Sequence, residues 1–178
     1  MVDTRVSQVI FPSDSLITSI YPTTNLADAF MVRLPENTTT NPELLARHMF
    51  SHQAPWVSGL MWVREIFVRF FGLQTSVSKL LKMYEEDNVR RIHYFTLHSS
   101  NDREVILGED DKHLDFRLSI LYRTPAEVED RQPGLVVSSV VTCHNMIGRI
   151  YLFFISPFHR LVVRSGLKRA AKAGWPRA

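Results

Sequence analysis

Three residues of chemically active types lie two positions apart near the middle of the chain: His113, Asp115 and Arg117. Alternate residues of a β-strand point to the same side, so a strand over 113–122 would place these side chains in one row. In a cleft, the aspartate could orient a histidine for general acid/base chemistry. The same alternation is also typical of a strand whose polar side is solvated. The sequence is thus compatible with a catalytic row in a cleft and with a solvated strand face.

A polar pocket is predicted where the next strand, 135–144, meets the helix that follows it. The strand would add Thr142 and His144 to the polar row, and the start of the helix would add two more polar side chains. The candidate ligand-binding residues are His113, Asp115, Arg117, Thr142, His144, Asn145 and Arg149. If this cluster is buried its charges must be paired, since an isolated buried charge costs several kcal/mol.

Motifs for specific reactions are missing from the sequence. It contains no nucleophile elbow, phosphate-binding loop or metal-ligand spacing, so no reaction class, metal or cofactor is predicted. The acidic run 108–111 lacks the further ligands and terminal glutamate of an EF-hand, which favours a charged turn over a calcium loop.

The hydrophobic pattern predicts an α+β protein with an antiparallel sheet packed on a long C-terminal helix. The first two helices are expected at 42–50, capped by Asn41, and at 55–71. The last is expected from about Met146 to Ala171, capped by Asn145 and kinked or broken by Pro157. The predicted strands are 28–34, 92–98, 104–107, 113–122 and 135–144. A further strand is expected in the leader.

Aromatic and aliphatic residues at helical spacing are the candidates for the lining of an apolar pocket, although such residues are more often ordinary core. The candidates are Trp56, Leu60, Phe67, Tyr151, Phe154 and Phe158. On the last helix, His159 could face the sheet and Arg160 could bind an anionic group, or both could be solvated.

Composition indicates one domain of 178 residues, with a polar leader (1–24), a core (25–171) and a basic tail (172–178). The single Cys143 excludes an internal disulfide, and a cytoplasmic location without a membrane span is expected. Residues 131–178 carry eight basic residues and no acid. These cations suit the end of a helix, although they could also meet an anionic membrane or nucleic acid.

Five segments together resemble an uncharacterised bacterial family, the domain of unknown function 2867 family. They are Asp28-Ala29-Phe30, Pro55-Trp56-Val57, the run 105–117 (VILGEDDKHLDFR), His144-Asn145 and Pro157-Phe158-His159-Arg160. The resemblance implies a START-like, helix-grip fold, in which a curved sheet wraps the C-terminal helix and the space between often holds an apolar ligand. It implies no activity, substrate or catalytic residue.

Three functions are therefore weighed. The first is a module that binds a small apolar molecule between the sheet and the C-terminal helix. The second is an enzyme using the His113, Asp115 and Arg117 row in that cleft. The third is a membrane-peripheral or protein-interacting role of the basic helix. Nucleic-acid binding ranks last because no binding motif accompanies the basic residues, and the oligomeric state is left open.

Overall fold

The computed structural model describes residues 4–57, 59, 90–128 and 131–178. The complete elements within these ranges are seven strands and two helices, with 3-10 turns at Leu16–Ser19 and Pro125–Glu127. The strands are β1 (Val6–Gln8), β2 (Leu26–Arg33), β3 (Arg91–Ile92), β4 (Phe95–Ser100), β5 (Glu104–Asp110), β6 (Leu114–Arg123) and β7 (Gly134–Cys143). The helices are α1 (Pro42–Ser51) and α2 (Met146–Ala173).

All seven strands form one open antiparallel sheet in the order β1-β2-β7-β6-β5-β4-β3. The α+β prediction is confirmed at this level. The sheet has two strands more than the five individually placed from the sequence. One is β1, in the leader as expected, and the other arises because the segment predicted as 92–98 is a hairpin of β3 and β4. The turn between them contains His93 at a positive φ of 57°.

One turn and one helix differ from the sequence-based expectation. The turn expected at 108–112 is shorter, because β5 continues to Asp110 and pairs it with Asp115. Its Gly108 is required by close packing, since a Cβ there would lie 2.3 Å from the carbonyl oxygen of Phe116. A kink near Phe153 or a break was expected at Pro157; of these two alternatives the break does not occur, because α2 is continuous through Pro157. Both predicted helix caps, Asn41 and Asn145, are confirmed by side-chain hydrogen bonds to helix amides.

Both faces of the sheet are covered. On the inner face, strand residues such as Phe30, Ile120 and Leu135 pack against α1 and the C-terminal part of α2. On the outer face, two smaller clusters include Phe11 and Ile17, so the leader covers this side. The predicted helix over 55–71 is observed at residues 55–57 and 59, and the rest of it lies outside the described residues.

Candidate functional site

The N-terminal end of α2 is fixed to the end of the sheet. Gly148 lies so close to the turn before β6 that a Cβ on it would come 2.2 Å from the carbonyl oxygen of His113. The side-chain oxygen of the cap residue Asn145 accepts a hydrogen bond from the Gly148 amide at 3.1 Å. The same oxygen lies 3.1 Å from Nδ1 of His113. An amide oxygen only accepts, so His113 donates from Nδ1.

The C-terminal end of α2 is fixed independently in the hydrophobic core. Leu167, Ala170 and Ala171 are completely buried against α1 and Trp175. Nε2 of His48, on α1, lies 3.1 Å from the carbonyl oxygen of Ala170. This end of the helix therefore cannot leave the sheet without opening the core.

Between these fixed ends the side of α2 that faces the sheet is not closed. Leu152, Ile155, His159 and Val162 continue from Gly148 at spacings of three or four, and all four are only half-buried. Several apolar residues of the inner face are half-buried as well: Phe95, Leu97, Leu114, Phe116 and Cys143. The middle of α2 and the part of the inner face that it crosses are thus mainly apolar and only half-buried.

A polar cluster lies between the middle of α2 and the inner face of the sheet. Asp28 on β2 pairs with Ser139 on β7, and the alternation with Phe30 and Val137 places both on the inner face. His159 approaches from α2, with Nε2 at 3.0 Å from the Ser139 hydroxyl and 3.5 Å from a carboxylate oxygen of Asp28. Nε of Arg160 lies 3.6 Å from the second carboxylate oxygen.

The Asp28 carboxylate has an unusual environment. Its side chain is only 1% exposed, yet neither of its oxygens has a hydrogen-bond partner among the residues that the structure describes. Buried carboxylates are normally paired and hydrogen-bonded, because desolvation is otherwise uncompensated. The ring of His159 and the guanidinium of Arg160 lie close to the carboxylate, but at these distances they do not form hydrogen bonds with it.

This cluster is not a serine-hydrolase triad, although it contains the same three residue types. In a triad the two ring nitrogens of the histidine divide the work, one contacting the serine and the other the aspartate. Here Nε2 of His159 is the atom closest to both Ser139 and Asp28. The arrangement can bind and orient a polar group, but it does not activate the serine through a relay.

The seven polar residues selected from the sequence lie elsewhere, around the turn before β6 and on the outer face. His144 contacts Asp115 at 2.9 Å, and Thr142 donates to the Thr23 carbonyl oxygen at 2.7 Å. Arg149 is an exposed residue of the first turn of α2. The structure therefore brings His113, Asp115, His144 and Asn145 together as a corner that holds the helix start.

Arg117 is buried by the leader rather than solvated or placed under α2. It forms a two-pronged ion pair with Asp110, at 2.6 and 3.2 Å, which holds the pKa of that carboxyl below its usual value. The ring of Tyr21 lies over the guanidinium at 5.6 Å, and burial raises the pKa of Tyr21 to about 12. The polar row of β6 is thus engaged in attaching the leader.

The residues predicted to line an apolar pocket differ in how exposed their side chains are. Tyr151 is half-buried on α2, while Phe154, Phe158 and Trp56 are 53%, 46% and 44% exposed. Leu60 and Phe67 lie outside the described residues. Within the described ranges, no group of three or more His, Cys, Asp or Glu side chains is arranged to hold a metal ion.

Sequence reasoning missed Asp28 and Ser139 as site residues and left His159 and Arg160 undecided. A signal for Asp28 was present, because it is a carboxylate in register with Phe30 and Val32 on the side of β2 that had to be apolar. Ser139 carried no such signal. Asp28, His159 and Arg160 all fall within segments that carry the family resemblance.

The described chain defines a class of α+β protein in which an open antiparallel sheet packs on a long C-terminal helix, with a polar cluster between them. A family model matches residues 20–166, and the chain belongs to the DUF2867 family, described as a protein of unknown function. No curated protein and no solved structure matches the chain.

Proposed function

We propose that this protein is a START-like, helix-grip module that binds a small, largely apolar molecule between the inner face of the sheet and α2. The observation that carries the proposal is the half-buried middle of α2 between two tightly fixed ends. A helix held in this way keeps a cleft open without needing a ligand to order it. Mostly apolar walls with a few convergent polar groups are typical of small-molecule sites.

The polar row of β6 gives the enzyme alternative no support. Asp115 and Arg117 are on the outer face, on the far side of the sheet from the cleft. Asp115 contacts His144, and Arg117 forms an ion pair with Asp110. Side chains that already contact the leader and the start of α2 are not available to bind a substrate in the cleft.

Two isoleucines on opposite sides of α2 allow a matched test of the cleft. Ile155 is half-buried on the side facing the sheet, and Ile150 is 45% exposed on the other side. An Ile155→Trp substitution should fill the cleft, whereas Ile150→Trp should leave it open. Binding of an environment-sensitive naphthylamine dye, and its displacement by medium-chain alcohols and fatty acids, would be measured by fluorescence.

We expect the wild type and Ile150→Trp to bind the dye and release it to competitors, and Ile155→Trp to lose binding about tenfold or more. Thermal unfolding checks that both variants are folded. Equal dye binding by all three proteins would place the apolar site elsewhere. Absence of binding by the wild type, together with no small molecule in the native mass spectrum of the freshly purified protein, would overturn the proposal.

A second candidate function, attachment to an anionic membrane surface, is favoured by the outward side of α2. Four exposed apolar residues there form an outward stripe: Met146, Ile150, Phe153 and Leu161, which are 69%, 45%, 73% and 56% exposed. Monomeric soluble proteins rarely expose large contiguous apolar patches. By length and hydropathy α2 also resembles a membrane span, with 11% of its apolar window buried.

The charges around the outward stripe favour lipid over a second copy of this chain. Arg149, Arg160, Arg164 and Lys168 are all exposed on α2, and residues 131–178 contain no acid. Two such stripes packed together would bring like charges into contact, whereas anionic headgroups would complement them. Because Leu167, Ala170 and Ala171 are anchored in the core, the helix would lie in the plane of the membrane surface.

Vesicle sedimentation tests this second function. We expect binding to vesicles that contain phosphatidylserine and weaker binding to phosphatidylcholine alone, since the attraction is partly electrostatic. Phe153→Ser should reduce binding severalfold. Ile10→Ser provides the control, because Ile10 is 94% exposed in the leader and outside the outward stripe. Equal loss in both variants, or no binding at all, would rule out attachment through α2.

A further inference from the structure

We propose that Asp28, Ser139 and His159 form the polar end of the cleft and select a neutral hydroxyl group on the apolar ligand. This inference rests on the proposed binding function and assigns the chemistry of its ligand. The residues come from β2, β7 and α2, so the cluster exists only because the fold brings the two strands and the helix together.

The need for a ligand donor follows from Asp28. Both of its oxygens are buried and accept no hydrogen bond within the described part of the chain, while a second buried carboxylate of the same protein has hydrogen-bond donors on both oxygens. Glu104 accepts from the hydroxyls of Ser15 and Ser119 and from the amide of Leu16. This fold can therefore supply hydrogen-bond donors to a buried carboxylate. The carboxylate oxygens of Asp28 remain available to accept hydrogen bonds from another molecule.

The charge of the cluster decides which donor fits. A ligand carboxylate would be repelled by Asp28, and a ligand ammonium would meet the guanidinium of Arg160, which lies 3.6 Å from Asp28. A hydroxyl avoids both conflicts because it is neutral. It can donate its proton to Asp28 and accept a hydrogen bond from Ser139 or His159.

Two isomeric probes isolate the hydroxyl proton. 1-Undecanol and decyl methyl ether have the same composition, and both contain an oxygen near one end of an alkyl chain, but only the alcohol can donate. Undecanoic acid and undecylamine complete the set with a negative and a positive head group. Each would compete with the naphthylamine dye for the purified full-length chain.

We expect the wild type to bind 1-undecanol about tenfold or more tightly than the ether, because a hydrogen bond to a charged group has about that effect. The acid and the amine should bind more weakly than the alcohol. In Asp28→Leu the preference of the alcohol over the ether should fall to about twofold or less. Ser139→Ala should lower it partially, and provides a second measurement if Asp28→Leu does not fold.

Asp102→Asn is the matched control, because Asp102 is exposed in the turn between β4 and β5 and should leave the preference unchanged. If the wild type binds the four probes equally, or prefers the acid or the amine, the selection of a hydroxyl is wrong while the apolar site stands. The same holds if Asp28→Leu keeps the wild-type preference. If none of the probes and no dye binds, the proposed function itself fails.

Discussion

Nε2 of His159 lies 3.5 Å from a carboxylate oxygen of Asp28, and this contact joins the middle of α2 to β2 without a hydrogen bond. The aspartate is almost completely buried, whereas the side chain of His159 is 27% exposed. A native contact of this kind contributes little to folding, because the desolvation of the carboxylate offsets the attraction.

Asp28→Leu is therefore expected to stabilise the protein while impairing binding. Leucine has the same branched arrangement of heavy atoms without the charge, and replacing a buried charge by a well-packed apolar side chain is neutral or stabilising by about 1–4 kcal/mol. Arg160 loses its partner at small cost because its side chain is 54% exposed. Urea unfolding followed by circular dichroism would measure the change. A loss of more than about 1 kcal/mol would instead make Asp28 a structural residue.

Gly148→Ala should weaken the attachment of the start of α2. Alanine favours a helix over glycine by roughly 0.5–1 kcal/mol, so any loss of stability must come from the contact with the carbonyl oxygen of His113. That oxygen is backbone and cannot rotate away, and overpacking of this kind costs about 1–3 kcal/mol. The free energy of unfolding and the dye affinity of the cleft should fall together.

Gly166→Ala on the same helix provides the control for this effect. There a Cβ would meet only the flexible amide end of Gln53, at 3.3 Å. We expect Gly166→Ala to lie within about 1 kcal/mol of the wild type, in either direction. If Gly148→Ala is equally harmless, the N-terminal end of α2 is not fixed as the structure indicates.

The sequence was sufficient for the parts of the fold that depend on local pattern. Alternation in 113–122 and 135–144 identified β6 and β7 within one residue at each end, and Asn41 and Asn145 marked both helix starts correctly. It did not reveal the hairpin inside 92–98, because its turn contains His93 at positive φ rather than a glycine. Turn chemistry of that kind depends on the surrounding packing.

The candidate site was harder to predict because it depends on which face of the sheet each element covers. The polar row of β6 could be solvated or lie under the helix, and the structure shows a third arrangement, in which the leader covers Arg117 through Tyr21. No local pattern in the leader indicates this packing. Likewise, Asp28 and His159 meet only because β2 pairs with β7 and α2 returns across both strands, which is long-range information.

Ser119→Ala should reveal how firmly the leader is attached to the outer face. It removes one hydroxyl from the fully buried network around Glu104, leaving that carboxylate one donor short. Hydrogen bonds to charged groups contribute about 1.5–3 kcal/mol, so a loss in this range is expected in the free energy of unfolding. Ser100→Ala, at the exposed end of β4, should change it by less than about 0.5 kcal/mol. Equal effects would show that the network is not stabilising.

The stability of the protein should decrease as the pH falls below neutrality. Burial lowers the pKa of His48, His93 and His98 below the ordinary value of 6.5. In the unfolded chain these histidines take up protons near pH 6.5, before they do so in the folded protein. The unfolded state is thus favoured as the pH drops from 6.5 toward the lower pKa values of the folded state, and full stability is present above that window.

Urea unfolding between pH 7.5 and 5 would test this expectation, with His48→Gln as the informative variant. Glutamine can still donate to the carbonyl oxygen of Ala170, which His48 contacts at 3.1 Å, but it cannot be protonated in this range. The free energy of unfolding of His48→Gln should therefore fall less steeply with decreasing pH than that of the wild type. Parallel curves for the two proteins would mean that the burial of His48 does not contribute to the pH dependence. A wild-type stability that rises on acidification would contradict the expectation for all three histidines.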